Sequence, residues 1–147
     1  MHTVAEVSLK YSSQKSYDEM PIITSPEEAA QFLRSIWDTD TIELREEFYI
    51  VLLSNTKQVL GYSKISTGTM TGTLVQPITV FQTAILGNAN SILVCHNHPS
   101  GNLKASGADI QLSKRLRDAG KLLGIEVVDH IVLTKESFTS IKECGLF

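Results

Sequence analysis

Three short apolar runs, separated by segments of helical periodicity, limit the possible folds of this chain more than any other feature. The run from Phe48 to Leu53 is the strongest strand signal, because it has strand length and consists of β-favouring residues. Ser91 to Cys95 and Val127 to Leu133 predict two further buried strands. Because buried strands that alternate with helices are typical of α/β proteins, we expect an α/β sandwich with a mixed sheet.

Segments with helical spacing predict helices over 26–37, 77–86 and 106–123. The first has Ser25 as its cap and Pro26 at its first position, a favoured start. In the first helix we expect Ala29, Phe32, Leu33 and Ile36 to face inward. The apolar residues that mark the other two are Val80, Phe81, Ala84 and Ile85, and Ile110, Leu116, Ala119, Leu122 and Leu123.

Weaker signals predict the remaining strands. Val7 to Tyr11 alternates apolar and polar residues, which predicts a half-buried first strand. Gln58 to Ile65 follows a polar turn and is expected to return as a hairpin partner of the first apolar run. Ser66 to Gly72 predicts irregular structure or a short edge strand, and a short strand or turn is expected to finish the chain.

Composition indicates one ordinary globular domain over residues 1–147. The chain has 147 residues, of which 42% are hydrophobic and 20% are charged. A net charge of −3 argues against strong binding to nucleic acid. The two cysteines, Cys95 and Cys144, form no CxxC pair, and no signal peptide is evident, so we expect a reducing, cytoplasmic location.

The stretch from Ile65 to Cys95 contains no charged residue and has the length of a membrane span. However, Gly68, Gly72 and Pro77 interrupt it, so no continuous apolar run exists. We expect an uncharged interior and no membrane partner.

The segment that carries chemistry begins with His96 and His98. Alternate residues of extended chain face the same side, so both imidazoles can converge on one point while Cys95 faces away. Pro99 allows a sharp turn, and Asp109 in the first turn of the next helix can close onto the same point. Two imidazoles and one carboxylate suit Zn²⁺ and leave a position open for water, which is typical of a catalytic site.

A purely structural interpretation of the same residues exists. Ser106 and Asp109 also have the spacing of a capping box, in which the carboxylate only favours the helix N-terminus. The HxH pair, the turn residues and the correctly spaced Ser and Asp in combination favour the metal site.

His96-x-His98, seven residues, Ser106, two residues and Asp109 resemble the JAMM motif of the JAB/MPN metalloprotease superfamily. The segment HNHPSG and the later Val128-Asp129-His130-Ile131-Val132 further resemble the RadC-like JAB domain, over residues 42–147. The resemblance implies a three-layer α/β/α sandwich similar to that of cytidine deaminases.

The resemblance also implies roles. His96, His98 and Asp109 would hold Zn²⁺, and Ser106 would hydrogen-bond the bound water or the developing oxyanion. The residues alone do not decide whether Glu46 or Glu47 is the base, since the two point to opposite faces of a strand. Family members tend to have Arg-Glu-x-Phe here, which favours Glu46.

The leading functional hypothesis is a zinc metallopeptidase or isopeptidase that acts on a peptide or protein. One alternative is a DNA- or nucleotide-directed hydrolase linked to DNA repair, although the paired cysteines of the deaminases are absent and the net charge does not favour nucleic acid. Another is a non-catalytic JAB module that binds a protein. The oligomeric state is left open.

Other polar residues have simpler interpretations. His130 lies in an apolar run and is expected to be a core histidine, with orientation of a metal ligand as the alternative. Asn97 and Ser100 are expected to shape the turn. A group of basic residues around the long helix is expected to be a solvated face, with steering of an acidic substrate as the alternative: Lys104, Lys114, Arg115, Arg117 and Lys121.

Overall fold

The computed structural model describes residues 3–68 and 74–147. Within these ranges the chain forms three α-helices and one mixed sheet of five strands. The elements are a 3₁₀ turn at Tyr17–Glu19, α1 (Pro26–Ile36), β1 (Glu47–Leu53), β2 (Val59–Thr67), α2 (Pro77–Leu86), β3 (Ser91–Asn97), α3 (Gly107–Leu123), β4 (Glu126–Leu133) and β5 (Phe138–Ser140). The expected α/β class with a mixed sheet is confirmed.

The sheet has the strand order β2-β1-β3-β4-β5. Strand β1 pairs antiparallel with both β2 and β3, whereas β3 and β4 are parallel and are joined by α3. All seven residues of β3 are buried, because this strand lies at the centre of the sheet and both of its faces are covered.

Helices cover both faces of the sheet, which gives three layers. On one face α1 buries Ala29 and Leu33 against alternate residues of β1, β3 and β4. On the other face, Phe81 of α2 and Leu116 of α3 pack against the residues of β1 and β3 that point the opposite way. The expected three-layer sandwich is therefore present, while the likeness to cytidine deaminases stays a prediction.

The helix boundaries follow from local chemistry. The Ser25 side chain accepts a hydrogen bond from the Glu28 N–H and caps α1. Ser106 caps α3 in the same way, and Gly124 ends α3 with a φ of 73°, in the left-handed region that favours glycine. In the described residues, no helix combines the length and the apolar character that a membrane crossing requires.

The expected first strand, Val7 to Tyr11, is wrong. This segment has no regular secondary structure, and Val7 and Leu9 are 88% and 75% exposed. The segment has the alternating pattern, but it pairs with no strand of the described chain. An isolated strand is not stable in water.

Details of side chains and boundaries complete the fold. Ile85, Leu122 and Leu123, which belong to the apolar residues of α2 and α3, are exposed, because they lie on the outer faces of their helices. Irregular structure or a short edge strand was expected over Ser66–Gly72. Strand β2 continues to Thr67, Gly68 has no regular secondary structure, and residues 69–72 lie outside the described residues.

The close contact of α3 with the residue that precedes β4 predicts the effect of a substitution at Gly120. An added Cβ would collide with the backbone carbonyl oxygen of Ile125, which cannot move easily. We expect Gly120→Ala to lower the free energy of unfolding by about 1–3 kcal/mol, in spite of a helix-propensity gain of roughly 1 kcal/mol. Urea unfolding measures this difference.

Gly107→Ala is the matched control, since Gly107 lies on the same helix and an added Cβ there meets nothing within 4 Å. Its stability should be unchanged or slightly higher. Equal stability of the two variants would contradict the packing of α3 described here.

Candidate metal centre

His96 and His98 lie at the carboxyl end of the central strand. His96 is the sixth residue of β3 and is 2% exposed, and His98 follows the strand directly. The β1–β3 register places Phe48 opposite His96, and the two rings are stacked with their centroids 6.3 Å apart. Cys95 points to the other face, into the cluster under α1. The expected alternation of these side chains is thus present.

Asp109 approaches the two histidines from the start of α3. After a tight turn, in which the Gly101 N–H donates to the His98 carbonyl (3.0 Å), the chain enters α3 through Ser106. The Ser106 N–H donates to Asp109 Oδ2 (2.9 Å), and the Asp109 N–H donates to Ser106 Oγ (3.0 Å). The capping box and the approach to the histidines therefore occur together, so the two interpretations of Asp109 are compatible.

The three side chains converge on one point. The His96 and His98 Nε2 atoms are 3.0 Å apart, His96 Nε2 is 3.2 Å from Asp109 Oδ1, and His98 Nε2 is 3.1 Å from Asp109 Oδ2. Each of the three residues offers one ligand atom, and together they could hold a metal ion. The arrangement predicted from the spacing is therefore formed.

The electrostatics of the group keep the carboxylate ionised. Burial raises the pKa of Asp109, but hydrogen bonds from His96 and His98 outweigh burial and hold the pKa well below its usual range. The pKa of His98 is raised by the hydrogen bond of this ring to Asp109, which outweighs the lowering effect of burial. A metal ion bound here would have to displace the proton of His98, so metal affinity should fall at low pH.

The outward ring nitrogens are held by other groups. His98 Nδ1–H donates to the Asn102 carbonyl (2.6 Å), so Nε2 is the ring nitrogen that could bind a metal ion once its proton is displaced. His96 Nδ1 lies 2.7 Å from His130 Nε2, and His130 Nδ1 lies 2.6 Å from Ser113 Oγ. His130 is fully buried, and burial lowers its pKa well below the usual value.

His130 therefore fits both interpretations given from the sequence, because it is a core residue and also contacts His96. The hydrogen bond of Ser113 to His130 was not predicted from the sequence. Ser113 lies four residues after Asp109 and so on the same face of α3, and this spacing, with a polar residue on a buried face, is a signal that could have found it.

The structure separates Glu46 from Glu47. Continuing the β1–β3 register by two residues sets Glu46 opposite His98, and the half-buried Glu46 lines the same surface cavity as His98 and Ser106. Burial raises the pKa of Glu46, in spite of the nearby histidines. Glu47 points to the other face, where Lys64 Nζ lies 2.5 Å from its Oε2.

Asn97 differs from the expectation that it shapes the turn. Its Oδ1 accepts a hydrogen bond from the Glu47 N–H (2.7 Å), and its Nδ2 donates to the carbonyls of Ile42 (2.7 Å) and Arg45 (2.8 Å). This buried amide holds the segment before β1 and therefore the position of Glu46. Ser100 does shape the turn, since its Oγ accepts from the Asn102 N–H.

A cavity of about 400 Å³ opens beside the group and is lined by Glu46, His98, Ser100, Asn102, Lys104 and Ser106, among others. Of the basic residues noted in the sequence, Lys104 lies at this cavity, whereas Arg117 and Lys121 line a different one. A larger cavity, of about 650 Å³, lies at the N-terminus of α1 and is lined by none of the predicted site residues. The smaller cavity is the candidate site, because the convergent polar groups lie beside it.

Comparison with known proteins identifies similar chains. A family model described as RadC-like JAB domain matches residues 23–146. A UPF0758 protein of Desulfitobacterium hafniense is 40% identical over 126 residues, which cover 86% of this chain and 54% of that protein. A UPF0758 protein of Clostridium beijerinckii is 36% identical over 144 residues, which cover 97% of this chain and 61% of that protein. The chain thus spans a little over half the length of these relatives.

The ion pair of Glu47 predicts a pH dependence of stability. Burial raises the pKa of Glu47, but hydrogen bonds from Lys64 and Thr41 and the charge of Arg45 outweigh burial and hold the pKa below the ordinary 4.5. A lowered carboxyl pKa stabilises the fold above the unfolded pKa, and this contribution is lost as the pH falls through the folded pKa. We therefore expect Glu47→Gln to be less stable than the wild type at pH 7.

The difference in unfolding free energy between the wild type and Glu47→Gln should shrink as the pH falls below about 4.5, because the protonated acid and the amide are both neutral. Urea unfolding from pH 7 to pH 3 measures this. A difference that stays constant over this range would contradict the ion pair as the source of the stabilisation.

Proposed function

The chain belongs to the RadC-like JAB domain family, and we propose that it is a zinc-dependent hydrolase that cleaves amide bonds of peptides or proteins. The observation that carries this proposal is the convergence of the Nε2 atoms of His96 and His98 on the carboxylate of Asp109, beside an open cavity. The packing of a core alone would not require two imidazoles and a carboxylate to converge beside a cavity.

The donor set and its dimensions fit zinc. Ligand atoms about 2.0–2.1 Å from a tetrahedral Zn²⁺ are about 3.3 Å from one another. The separations among His96, His98 and Asp109 are 3.0, 3.1 and 3.2 Å. Three protein ligands leave a fourth position for water or substrate, as in catalytic zinc sites. Bound zinc would supply Lewis acidity, which acidifies a water molecule and polarises a carbonyl oxygen.

We assign Glu46 as the general base and acid. It lies at the cavity with His98, and burial raises its pKa, so that it can take a proton from the attacking water at one step and give it to the leaving amine at the next. Glu47 cannot take this part, because it points to the opposite face and is held by Lys64.

We assign Ser106 as the hydrogen-bond donor to the oxyanion that develops when the carbonyl is attacked. Its Oγ accepts the Asp109 N–H, and a hydroxyl that accepts one hydrogen bond still has its own proton to donate. Ser106 and Glu46 line the same cavity as His98. An extended peptide would lie in this cavity with its carbonyl between the two residues.

Glu46→Gln tests the proposed base. Because the amide cannot accept and return a proton, we expect hydrolysis to fall by about 10²–10⁴-fold with zinc content unchanged. The rate would be measured on quenched fluorescent peptide libraries and on lysine isopeptide-linked peptides, and zinc by mass spectrometry.

Glu47→Gln is the matched control, since it removes the neighbouring carboxylate and leaves the cavity intact. It should lose stability and keep its hydrolytic rate. Full turnover by Glu46→Gln would refute the assignment of the base. Zinc-loaded wild type that cleaves no member of the panel would favour the non-catalytic binding module.

A further inference from the structure

A row of buried polar side chains lies behind the metal group, away from the cavity. Ser113 and His130 are both 0% exposed, and His96 is 2% exposed. Among the described residues, the His130 ring nitrogens are hydrogen-bonded to His96 on one side and to Ser113 on the other. Because hydrogen bonds in a low-dielectric interior are strong and their loss is costly, the direction of each bond in this row matters.

Ser113 fixes which atom donates and which accepts in each hydrogen bond of this row. Its hydroxyl carries one proton, and this proton is donated to the Asp109 carbonyl (2.8 Å), which can only accept. Ser113 Oγ must then accept at its contact with His130, so His130 Nδ1 carries the proton (2.6 Å). The buried, neutral His130 ring therefore presents a lone pair at Nε2.

The same direction continues to the metal ligand. His96 Nδ1 faces the lone pair of His130 Nε2 at 2.7 Å, so His96 Nδ1 carries the proton. In the metal-bound form the lone pair of His96 is then at Nε2, the atom that faces His98 and Asp109. If the row ran in the opposite direction, the proton would be on His96 Nε2, where it would block a metal ion.

We propose that Ser113 and His130 are positioning residues, which hold His96 in the tautomer that binds metal. The inference rests on the proposed function, since it takes His96 Nε2 as a zinc ligand. The row also ties two ligands to each other, because Ser113 is bonded to the backbone of Asp109, while His130 is bonded to the ring of His96.

Ser113→Ala tests the inference through zinc affinity. Without the hydroxyl, the N–H at His130 Nδ1 loses its acceptor. His130 can then adopt the other tautomer, in which Nε2 carries the proton and donates to His96. We expect the zinc dissociation constant, measured by chelator competition at pH 7.5, to rise by about 10–100-fold. The control is Thr83→Ala, which removes a hydroxyl with the same bond to a carbonyl four residues earlier, on α2, and should leave the constant unchanged.

Three further measurements separate positioning from a general structural role. Thermal unfolding of the metal-free variants reports stability alone. In zinc-loaded protein, histidine ¹⁵N NMR should show protons on Nδ1 of His96 and His130 and none on His130 Nε2. His130→Gln keeps an oxygen acceptor for His96 and should retain more zinc affinity than His130→Leu, which has none.

The outcomes are distinct. Unchanged zinc affinity in Ser113→Ala, a proton on His130 Nε2, or equal affinities of His130→Gln and His130→Leu would overturn the inference while the metal site stands. Wild-type protein that binds no zinc would overturn the proposed function together with it.

Discussion

The antiparallel pairing of β1 with the central strand β3 is the constraint on which the rest of the structure depends. Its register sets Phe48 opposite His96, and from this pair onward every side chain of the two strands is assigned to a face. His98 and Glu46 come to the face where α3 begins, whereas Glu47 comes to the face of α1. A slip of one residue would exchange the two sets and destroy the site and the core together. The stability of the fold and the geometry of the site thus have the same origin.

The start of α3 supplies the second part of the site. Ser106 caps this helix and places Asp109 in its first turn, where the carboxylate satisfies the Ser106 N–H and also faces the two histidines. One turn later Ser113 reaches His130 on β4. Because α3 joins the parallel strands β3 and β4, it begins near the carboxyl end of β3, and its first two turns contact side chains of both strands.

Sequence reasoning could predict what depends on local spacing, and could not predict what depends on pairing between distant segments. The metal group could be predicted because its three residues are close in the chain and its two histidines alternate in extended chain. The choice between Glu46 and Glu47 needed the register of β1 with β3, and the hydrogen bonds of Asn97 join it to carbonyls more than 50 residues earlier. Ser113 required the packing of α3 on β4. The strand expected over Val7–Tyr11 was wrong because alternation reports a suitable pattern but not the presence of a partner.

The most direct test of the account is the metal content of untagged protein, measured by mass spectrometry for the wild type, His98→Ala and Asp109→Ala. Asp118→Ala is the matched control, because Asp118 lies on the same helix and pairs only with Arg117 among the ion pairs of the described chain. The account predicts about one zinc per chain in the wild type and in Asp118→Ala, and none in the other two variants. Wild-type protein without zinc after reconstitution, or zinc retained in both ligand variants, would contradict it.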